Sequence, residues 1–326
     1  MRAIIFTRYG PPEFLQLREI PKPVPKDNEM LIRVRASTVN RTDCGFLRAK
    51  PFIVRFFSGL FSPKIKTLGT EFAGEIEAIG KDVTAFKPGD KVFGFNGDRF
   101  GAHAEYMIMG KKGAITTMPA NLTFEEAAPI AEGAHYALCD LRASKIRSGQ
   151  KILINGTTGA IGSAAVQLAK WFGAEVTAVC DTKNVELVKS LGAKEVIDYT
   201  KQDFTKIKQT FDVVFDAVGK SSFAKCKPLL RKGGIYMSTD LGYMSQNPFL
   251  ALLTPLFGGK KVLFPIPTKS REDVPFLKEL VEAGKYKPVI DRHYSLEQIA
   301  DAFRYVETGQ KIGNVIITIE HKDRAD

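Results

Sequence analysis

The stretch KILINGTTGAIG, residues 151–162, decides the fold of this 326-residue chain. Residues 151–155 are typical of a buried strand, and glycines spaced three apart follow at Gly156, Gly159 and Gly162. Gly156 would take a tight turn, Gly159 would let the backbone approach a pyrophosphate, and Gly162 would let the next helix pack closely. The free N–H groups at the start of that helix would face the phosphates, so the stretch predicts a dinucleotide site. A tightly packed turn without a ligand is the alternative.

The residues that follow continue an alternation of short apolar strands and helices. We predict helices over 160–172 and 185–191. Apolar strands separated by helices indicate a parallel sheet that is covered on both faces, and therefore a doubly wound α/β domain of the Rossmann type. The other predicted strands cover 175–180, 196–197, 211–216, 235–238 and 261–264.

The first third of the chain has a different pattern, with short strands and turns. Residues 31–36 alternate apolar and charged side chains, as a half-buried strand does, and 71–80 and 91–95 are similar. Residues 45–66 look like a long loop that contains five phenylalanines. We expect a compact, mostly β domain in this part of the chain.

The tail of the chain changes pattern again. The capping box SLEQ (295–298) predicts a helix that runs to about residue 307, where Gly309 ends it, and 314–319 predict a last strand. These elements would either extend the parallel sheet or return to the first domain. The expected segments are a first domain over 1–120, a dinucleotide-binding domain over 121–265 and a tail over 266–326.

Composition and charge exclude several classes of protein. With 44% hydrophobic and 25% charged residues, the chain is neither disordered nor a small disulfide scaffold. Its four cysteines are far apart without a CxxC pair, which indicates neither a zinc cluster nor a disulfide frame. No apolar run reaches the roughly 18 residues of a membrane helix and we find no export signal, so we expect a cytoplasmic protein without a membrane partner. The net charge of +11 is scattered, which favours a phosphate-bearing small molecule over nucleic acid.

Residues after the second strand of the dinucleotide-binding domain bear on the choice of cofactor. Asp181 lies 19 residues beyond Gly162, where a carboxylate commonly binds the ribose hydroxyl of NAD. Lys183, Asn184 and Tyr199 would instead hold the 2′-phosphate of NADP. We predict NADPH, with NADH as the alternative. Asp181 as a simple helix cap is a further alternative.

Six short motifs, spread over nearly the whole chain, carry a resemblance to a known family. They are VNRTD (39–43), LGTEFAG (68–74), GAHAEY (101–106), NGTTGAIG (155–162), GKYKPVID (284–291) and GQKIGNV (309–315). On these motifs the chain resembles the medium-chain dehydrogenase/reductase superfamily, and most of all its zinc-independent quinone oxidoreductase branch. The resemblance implies a GroES-like catalytic domain built from both chain ends, with a Rossmann domain between them.

The resemblance also bears on metal binding. Zinc-dependent members of the superfamily have a cysteine where Asn40 stands and a histidine where Thr70 stands. Glu71 matches a family glutamate, but one carboxylate cannot hold a catalytic zinc, which takes three protein ligands. We therefore expect no zinc. Without a Lewis acid, hydride transfer suits an acceptor that delocalises the incoming charge, such as a quinone or an α,β-unsaturated carbonyl.

The resemblance implies roles for particular residues. Asn40 would offer its amide to the acceptor or the cofactor, and Asp43 would hold that loop. Related enzymes often have a threonine at the position of Tyr136, and we expect the proton to come from Tyr136 or from water. A turn-forming role is the alternative for Asn40. An apolar acceptor pocket would be walled by Phe46, Phe52 and Phe56, whose alternative is ordinary core packing. The cofactor would contact Thr158, Gly159, Ala160 and Ile161 at its pyrophosphate, with Lys311 and Asn314 closing over it from the tail.

These implications define the expected function. The first expectation is an NAD(P)H-dependent reductase of quinones or related conjugated carbonyls, with an apolar small molecule as acceptor. The second is a reductase of enals, enones or enoyl thioesters. The third is a cofactor-binding protein with little catalysis that acts through RNA or a protein partner. Family members are often dimers or tetramers, so a homo-oligomer is compatible with the sequence.

Overall fold

The computed structural model of this chain describes residues 1–321, which fall into two compact units. The first unit comprises Met1–Glu132, Ser270–Glu282 and the described residues from Ile290 onward. The second unit comprises Gly133–Lys269 and Ala283–Val289. These limits differ from the expected ones, because residues 121–132 pack with the first unit, and residues 266–269 and 283–289 pack with the second.

Short strands and helices alternate along the chain. The strands are β1 (Arg2–Ile5), β2 (Gln16–Glu19), β3 (Glu29–Val39), β4 (Glu71–Ile79), β5 (Lys91–Phe95), β6 (Tyr106–Gly110), β7 (Ala114–Thr117), β8 (Lys151–Asn155), β9 (Glu175–Cys180), β10 (Glu195–Asp198), β11 (Phe211–Asp216), β12 (Leu230–Ser238), β13 (Lys261–Leu263), β14 (Ile290–Ser295) and β15 (Asn314–Thr318). The α-helices are α1 (Arg41–Arg48), α2 (Val54–Ser58), α3 (Phe124–Ala127), α4 (Glu132–Ser144), α5 (Ala160–Trp171), α6 (Val185–Leu191), α7 (Phe223–Cys226), α8 (Gln246–Leu253), α9 (Ser270–Glu282) and α10 (Ile299–Glu307).

The second unit is built on a six-stranded parallel sheet with the order β10-β9-β8-β11-β12-β13. Apolar side chains such as Leu153, Val179 and Val214 are completely buried in its core. The strand order reverses between β8 and β11, and sheets of this type bind ligands beyond the carboxyl ends of the strands at such a reversal. The prediction of a doubly wound α/β domain is therefore confirmed.

The first unit is built on a mixed, mostly antiparallel sheet with the order β14-β15-β3-β4-β5-β7, and β6 also pairs with β3. β15 comes from the tail of the chain and pairs antiparallel with β3, with Ile316 opposite Thr38. The tail therefore returns to the first unit instead of extending the parallel sheet. Buried side chains from the sheet and from α10, among them Ile32, Phe72 and Phe303, form the core of this unit.

Several local predictions were wrong. Residues 45–66 are not a continuous loop, because they contain the end of α1 and the whole of α2. The capping box at Ser295 is present, but a 3-10 turn precedes α10, which begins at Ile299. Two further elements were not predicted: α9, which carries Pro275 in its interior, and β14, whose residues are largely polar.

Within residues 1–321 no helix is both long and apolar enough to span a membrane.

Candidate functional site

A glycine-rich loop joins β8 to α5 in the second unit. Gly159 is the N-cap of α5, with an extended backbone, and contributes no side-chain cap to the first turn. The N–H and the hydroxyl of Thr157 both donate to the carbonyl of Val179, at 3.3 and 3.0 Å, and so attach the loop to β9. Because the first N–H groups of a helix lack intrahelical partners, the loop presents donors and a positive dipole end at the carboxyl edge of the sheet.

The three glycines of this loop have different surroundings. A Cβ at Gly162 would lie 2.1 Å from the carbonyl oxygen of Gly156, so a side chain there would displace the loop. Gly156 has a φ of +82°, and its Cβ would lie 2.6 Å from Val218. At Gly159 the nearest protein atom would be 3.8 Å from the Cβ, so this face of the loop is open. The loop thus has the space and the donors that a pyrophosphate requires.

The end of β9 places a carboxylate on the same edge of the sheet. The Oδ1 atom of Asp181 accepts a 2.5 Å hydrogen bond from the amide of Asn184, which is buried. The Asn184 amide therefore orients the Asp181 carboxylate. The expected role of Asn184 was different, namely to hold the 2′-phosphate of NADP. Lys183 is exposed, and so is Tyr199, whose pKa is raised by partial burial and by the charge of Asp181.

A second carboxylate at this edge, Asp216, was not singled out from the sequence. Its Oδ1 atom accepts a 2.9 Å hydrogen bond from the amide of Asn155, and its Oδ2 atom accepts a 2.7 Å bond from the N–H of Ser221. Because Asn155 ends β8 and Asp216 ends β11, the bond between them joins the two strands at the reversal of strand order, and the Ser221 bond holds the turn that follows β11. An acidic residue that closes the apolar run FDVVFD was the available signal.

A cluster of buried polar side chains lies at the end of β3 in the first unit. The Asn40 amide nitrogen donates to Glu71 Oε2 at 2.8 Å and to Glu132 Oε2 at 2.9 Å. The N–H of Glu132 donates to Glu71 Oε1 at 2.6 Å. The hydroxyls of Thr38 and Thr70 donate to Glu71 and Glu132, at 2.8 and 2.6 Å. We call Asn40, Glu71 and Glu132 the amide–carboxylate cluster.

The geometry of Asn40 differs from the expected one. Its side chain is 5% exposed, and its amide hydrogens point at the two glutamates, so it is not free to bind an acceptor. The N–H of Asn40 donates to Asp43 Oδ2 and the N–H of Gly69 donates to Asp43 Oδ1, both at 2.9 Å. Asp43 thus joins the start of α1 to the loop before β4, and Asn40 is a positioning residue for the buried carboxylates.

The burial of three carboxylates in one region sets their charge. Burial and the neighbouring charge of Glu132 raise the pKa of Glu71 to about 8. Burial also raises the pKa of Asp43 to about 7 and, together with the charge of Asp43, raises the pKa of Glu132. Lys311 has its pKa lowered by burial to about 8, although the two glutamates favour its charged form. The region therefore carries fewer negative charges near neutral pH than its composition suggests.

Zinc does not fit this cluster. Asn40 and Thr70 stand where a cysteine and a histidine would be expected in a zinc site. Both side chains instead donate hydrogen bonds to carboxylates. The nearby His103 is buried, its Nε2 lies 2.8 Å from the carbonyl of Thr38, and burial lowers its pKa to about 4. In the part of the chain that the structure describes, no group of three or more His, Cys, Asp or Glu side chains is placed to hold a metal ion.

The remaining expected site residues are dispersed. Phe46 packs against the core and contacts Phe100, with ring centroids 4.5 Å apart, whereas Phe52 and Phe56 are exposed and contact each other. The structure therefore does not bring the three phenylalanines together as a pocket wall. Tyr136 lies on α4 beside His135. In the tail, the Lys311 ammonium donates to the carbonyl of Gly313, and Asn314 is buried at the start of β15.

The functional residues missed from the sequence are mainly those that the fold brings together over long sequence distances. Glu132 is 92 residues from Asn40, and the two meet only because α4 begins beside the end of β3. A glutamate directly after the small, apolar stretch APIA (128–131) was the available signal, since a charge in such surroundings is rarely buried without partners.

Two family models match this chain. The alcohol dehydrogenase GroES-like domain matches residues 26–120, and a model described as zinc-binding dehydrogenase matches residues 191–317. The first match covers β3 to β7 of the first unit. The second match covers the latter part of the parallel sheet and the returning tail, which agrees with a GroES-like unit and a Rossmann-like unit in one chain.

Three known proteins illustrate the similarity along the full length. The chloroplastic quinone-oxidoreductase QR1 of Triphysaria versicolor is 34% identical, over 97% of this chain and 98% of that protein. The chloroplastic NADPH-dependent alkenal/one oxidoreductase of Arabidopsis thaliana is 31% identical, over 97% of this chain and 79% of that protein. The solved structure of the quinone oxidoreductase from Coxiella burnetii is 28% identical, covers 98% of this chain and 99% of its own, and superposes with a TM-score of 0.86.

Proposed function

This chain belongs to the medium-chain dehydrogenase/reductase superfamily, in its quinone oxidoreductase-like branch, and from that premise we propose that it reduces quinones with NAD(P)H. The observation that carries the proposal is the open face of the glycine loop at Gly159, on the carboxyl edge of a doubly wound sheet. That edge is where such sheets bind dinucleotides.

The donor set at the end of β3 supports a conjugated acceptor. Asn40 and Thr70 are engaged with buried carboxylates and do not fit a zinc ion that would polarise a carbonyl. Hydride addition to an isolated ketone leaves an alkoxide that needs a Lewis acid or a strong proton donor. A quinone or an enone spreads the incoming charge, so hydrogen bonds and solvent are sufficient. Similarity to the Arabidopsis alkenal/one oxidoreductase favours enals and enones as the second candidate.

The residues of the chain would bind and orient the reactants. A bound reduced nicotinamide would supply the hydride. The N–H groups at the start of α5 would hold the pyrophosphate, and Asp181 and Lys183 would face the adenosine ribose and its substituent. The proton would come from Tyr136 or from water. A location in the cytoplasm remains our proposal, although both plant relatives named above are chloroplastic.

A panel of acceptors tests the proposed activity. We expect the purified protein to oxidise NADPH faster with 1,4-naphthoquinone than with trans-2-hexenal, and not to turn over cyclohexanone. The reaction is followed by the loss of NADPH absorbance. Faster turnover of the enal would favour the second candidate, and turnover of cyclohexanone would contradict the argument from charge delocalisation. NADPH that raises the melting temperature but is oxidised by no acceptor would favour a binding protein.

We propose NADPH as the preferred cofactor. The exposed Lys183 offers an ammonium group beside the expected ribose site, and Tyr199 lies at the end of the neighbouring strand. Asp181 opposes this preference, because its carboxylate repels a 2′-phosphate and binds a ribose hydroxyl. The balance between these residues is therefore the determinant to test.

Two single substitutions separate the contributions of Lys183 and Asp181. Lys183→Ala is expected to weaken NADPH binding by about 1.5–3 kcal/mol, the range for a lost charge-assisted hydrogen bond, and to leave NADH unchanged. Asp181→Ser is expected to tighten NADPH. Dissociation constants from calorimetric titration measure both effects, with Lys206→Ala as the control because Lys206 is an exposed lysine of the same unit. Equal weakening of NADH and NADPH by Lys183→Ala would show that the lysine does not face the 2′-phosphate.

A further inference from the structure

An exposed apolar surface lies in the first unit. Residues 52–61, which we call the phenylalanine segment, comprise α2 and its flanks. Six large apolar side chains of this segment have between 44% and 89% of their surface exposed. They are Phe52, Ile53, Phe56, Phe57, Leu60 and Phe61. Single exposed apolar residues are ordinary, but six within ten residues form a surface of the kind that contacts another molecule.

Internal hydrogen bonds hold the phenylalanine segment in this shape. The hydroxyl of Tyr9 donates to the carbonyl of Gly59 at 2.6 Å and lies 2.8 Å from the hydroxyl of Ser58. The Arg55 guanidinium lies over the Tyr9 ring and donates to the carbonyl of Leu60 at 3.0 Å. The polar groups of the segment therefore face inward and bind one another, while its phenylalanines face outward.

The phenylalanine segment and its neighbours in sequence carry charge of one sign. Residues 44–70 contain five Lys or Arg residues and no Asp or Glu. Arg48 forms an ion pair with Glu307, with Nε 2.6 Å from Oε1, but Lys50, Lys64 and Lys66 are exposed. An apolar surface with a basic border complements a layer in which hydrocarbon lies beneath anionic groups.

We propose that the phenylalanine segment docks the protein onto the surface of an anionic lipid bilayer. The phenylalanines would enter the boundary between head groups and acyl chains, and the three lysines would contact lipid phosphates. A second copy of this chain is a poorer occupant, because it would bring two basic borders together. The expectation of no membrane partner rested on the lack of a spanning run, and docking at the surface does not require one.

Vesicle flotation tests this proposal with the full chain. We expect the protein to float with vesicles of phosphatidylcholine and phosphatidylglycerol (7:3) and not with phosphatidylcholine alone. The double variant Phe57→Ser/Phe61→Ser should reduce the partition coefficient between vesicle and solution more than tenfold. The double variant Lys64→Gln/Lys66→Gln should reduce it about fivefold for each lysine that is replaced. The matched controls are Val24→Ser, at an apolar residue that is 84% exposed, and Lys87→Gln/Lys112→Gln, at exposed lysines of the same unit.

Several outcomes would overturn the proposal. One is a wild-type protein that floats with neither type of vesicle. Another is a loss of flotation in the Lys87→Gln/Lys112→Gln control equal to that in Lys64→Gln/Lys66→Gln, which would mean that net charge alone causes binding. Loss of flotation in Leu256→Ser/Phe257→Ser but not in Phe57→Ser/Phe61→Ser would place the docking surface in the second unit, where both residues are exposed. A dimer that dissociates in Phe57→Ser/Phe61→Ser without lipid, or RNA binding lost in the same variant, would assign the segment to another partner. Unchanged thermal melts would verify that the variants fold.

Discussion

Replacement of Asn40 by leucine is expected to cost about 3–6 kcal/mol of unfolding free energy at pH 9, since each of two lost hydrogen bonds to a charged group contributes about 1.5–3 kcal/mol. The substitution removes the donor that Glu71 and Glu132 share, at 2.8 and 2.9 Å, and leaves two buried carboxylates with fewer hydrogen bonds. The cost should be smaller at pH 6, because carboxyl groups with raised pKa values take up protons there and need fewer donors.

The sign of this pH dependence follows from Glu71. Burial raises its pKa from 4.5 to about 8, so between these values the folded chain binds a proton that the unfolded chain has released. The wild-type protein therefore loses the contribution of this group as pH rises through that range. The loss should be larger in Asn40→Leu, because the ionised glutamates are then less well solvated by hydrogen bonds.

Urea unfolding at pH 6 and pH 9 measures this prediction. Asn96→Leu is the matched control, since the Asn96 amide is buried in the same unit and donates at 2.9 Å to a neutral backbone carbonyl of Phe100. That control should lose about 1 kcal/mol at both pH values. An Asn40→Leu cost that is the same at pH 6 and pH 9 would mean that Asn40 does not act through the charge of the glutamates.

Replacement of Gly159 by alanine is expected to separate stability from cofactor binding. The new Cβ would lie 3.8 Å from the nearest protein atom, and the backbone is extended, so the unfolding free energy should change by less than about 0.5 kcal/mol. The same methyl group would enter the space that a pyrophosphate needs. Loss of one charge-assisted hydrogen bond from the loop corresponds to about 1.5–3 kcal/mol, so NADPH affinity should fall at least about tenfold.

Gly162→Ala supplies the contrasting case. Its Cβ would lie 2.1 Å from the carbonyl of Gly156, so the loop must move and both stability and binding should decrease. Calorimetric titration with NADPH and thermal melts compare the two variants. If Gly159→Ala binds NADPH like the wild type, the open face of the loop is not the pyrophosphate site.

The parts of the fold that were predictable from the sequence are those that depend on local patterns. The strand, glycine loop and helix around Gly156 are neighbours in sequence, and each residue type has a local steric reason. The two helices α1 and α2 have only eight and five residues, so any apolar repeat within them spans too few turns to be recognised. The polar residues of β14 concealed a strand at the edge of its sheet.

The site was less predictable because the orientation of each polar side chain depends on its hydrogen-bond partner. Asn184 is a plausible phosphate ligand in sequence, but the fold places its amide 2.5 Å from Asp181. Asn40 was expected to face a ligand, but its amide donates a hydrogen bond to Glu132 instead. The Asp181–Asn184 contact is local, and its three-residue spacing, typical of a helix cap, was the available signal. The contact between Asn40 and Glu132 has no such spacing, since hydrogen bonds between distant segments are determined by sheet topology.

The position of β15 has a consequence for biosynthesis. This strand lies between β14 and β3, so the sheet of the first unit is interrupted until residues 314–318 are available. β4 and β6 pair with the rest of β3, so residues 36–39 are the part of β3 that β15 completes. On the ribosome, these residues must wait with an unpaired edge while the parallel sheet of residues 151–263 is synthesised. Nascent chains arrested before β15 should therefore contain a protease-resistant second unit and a protease-sensitive first one.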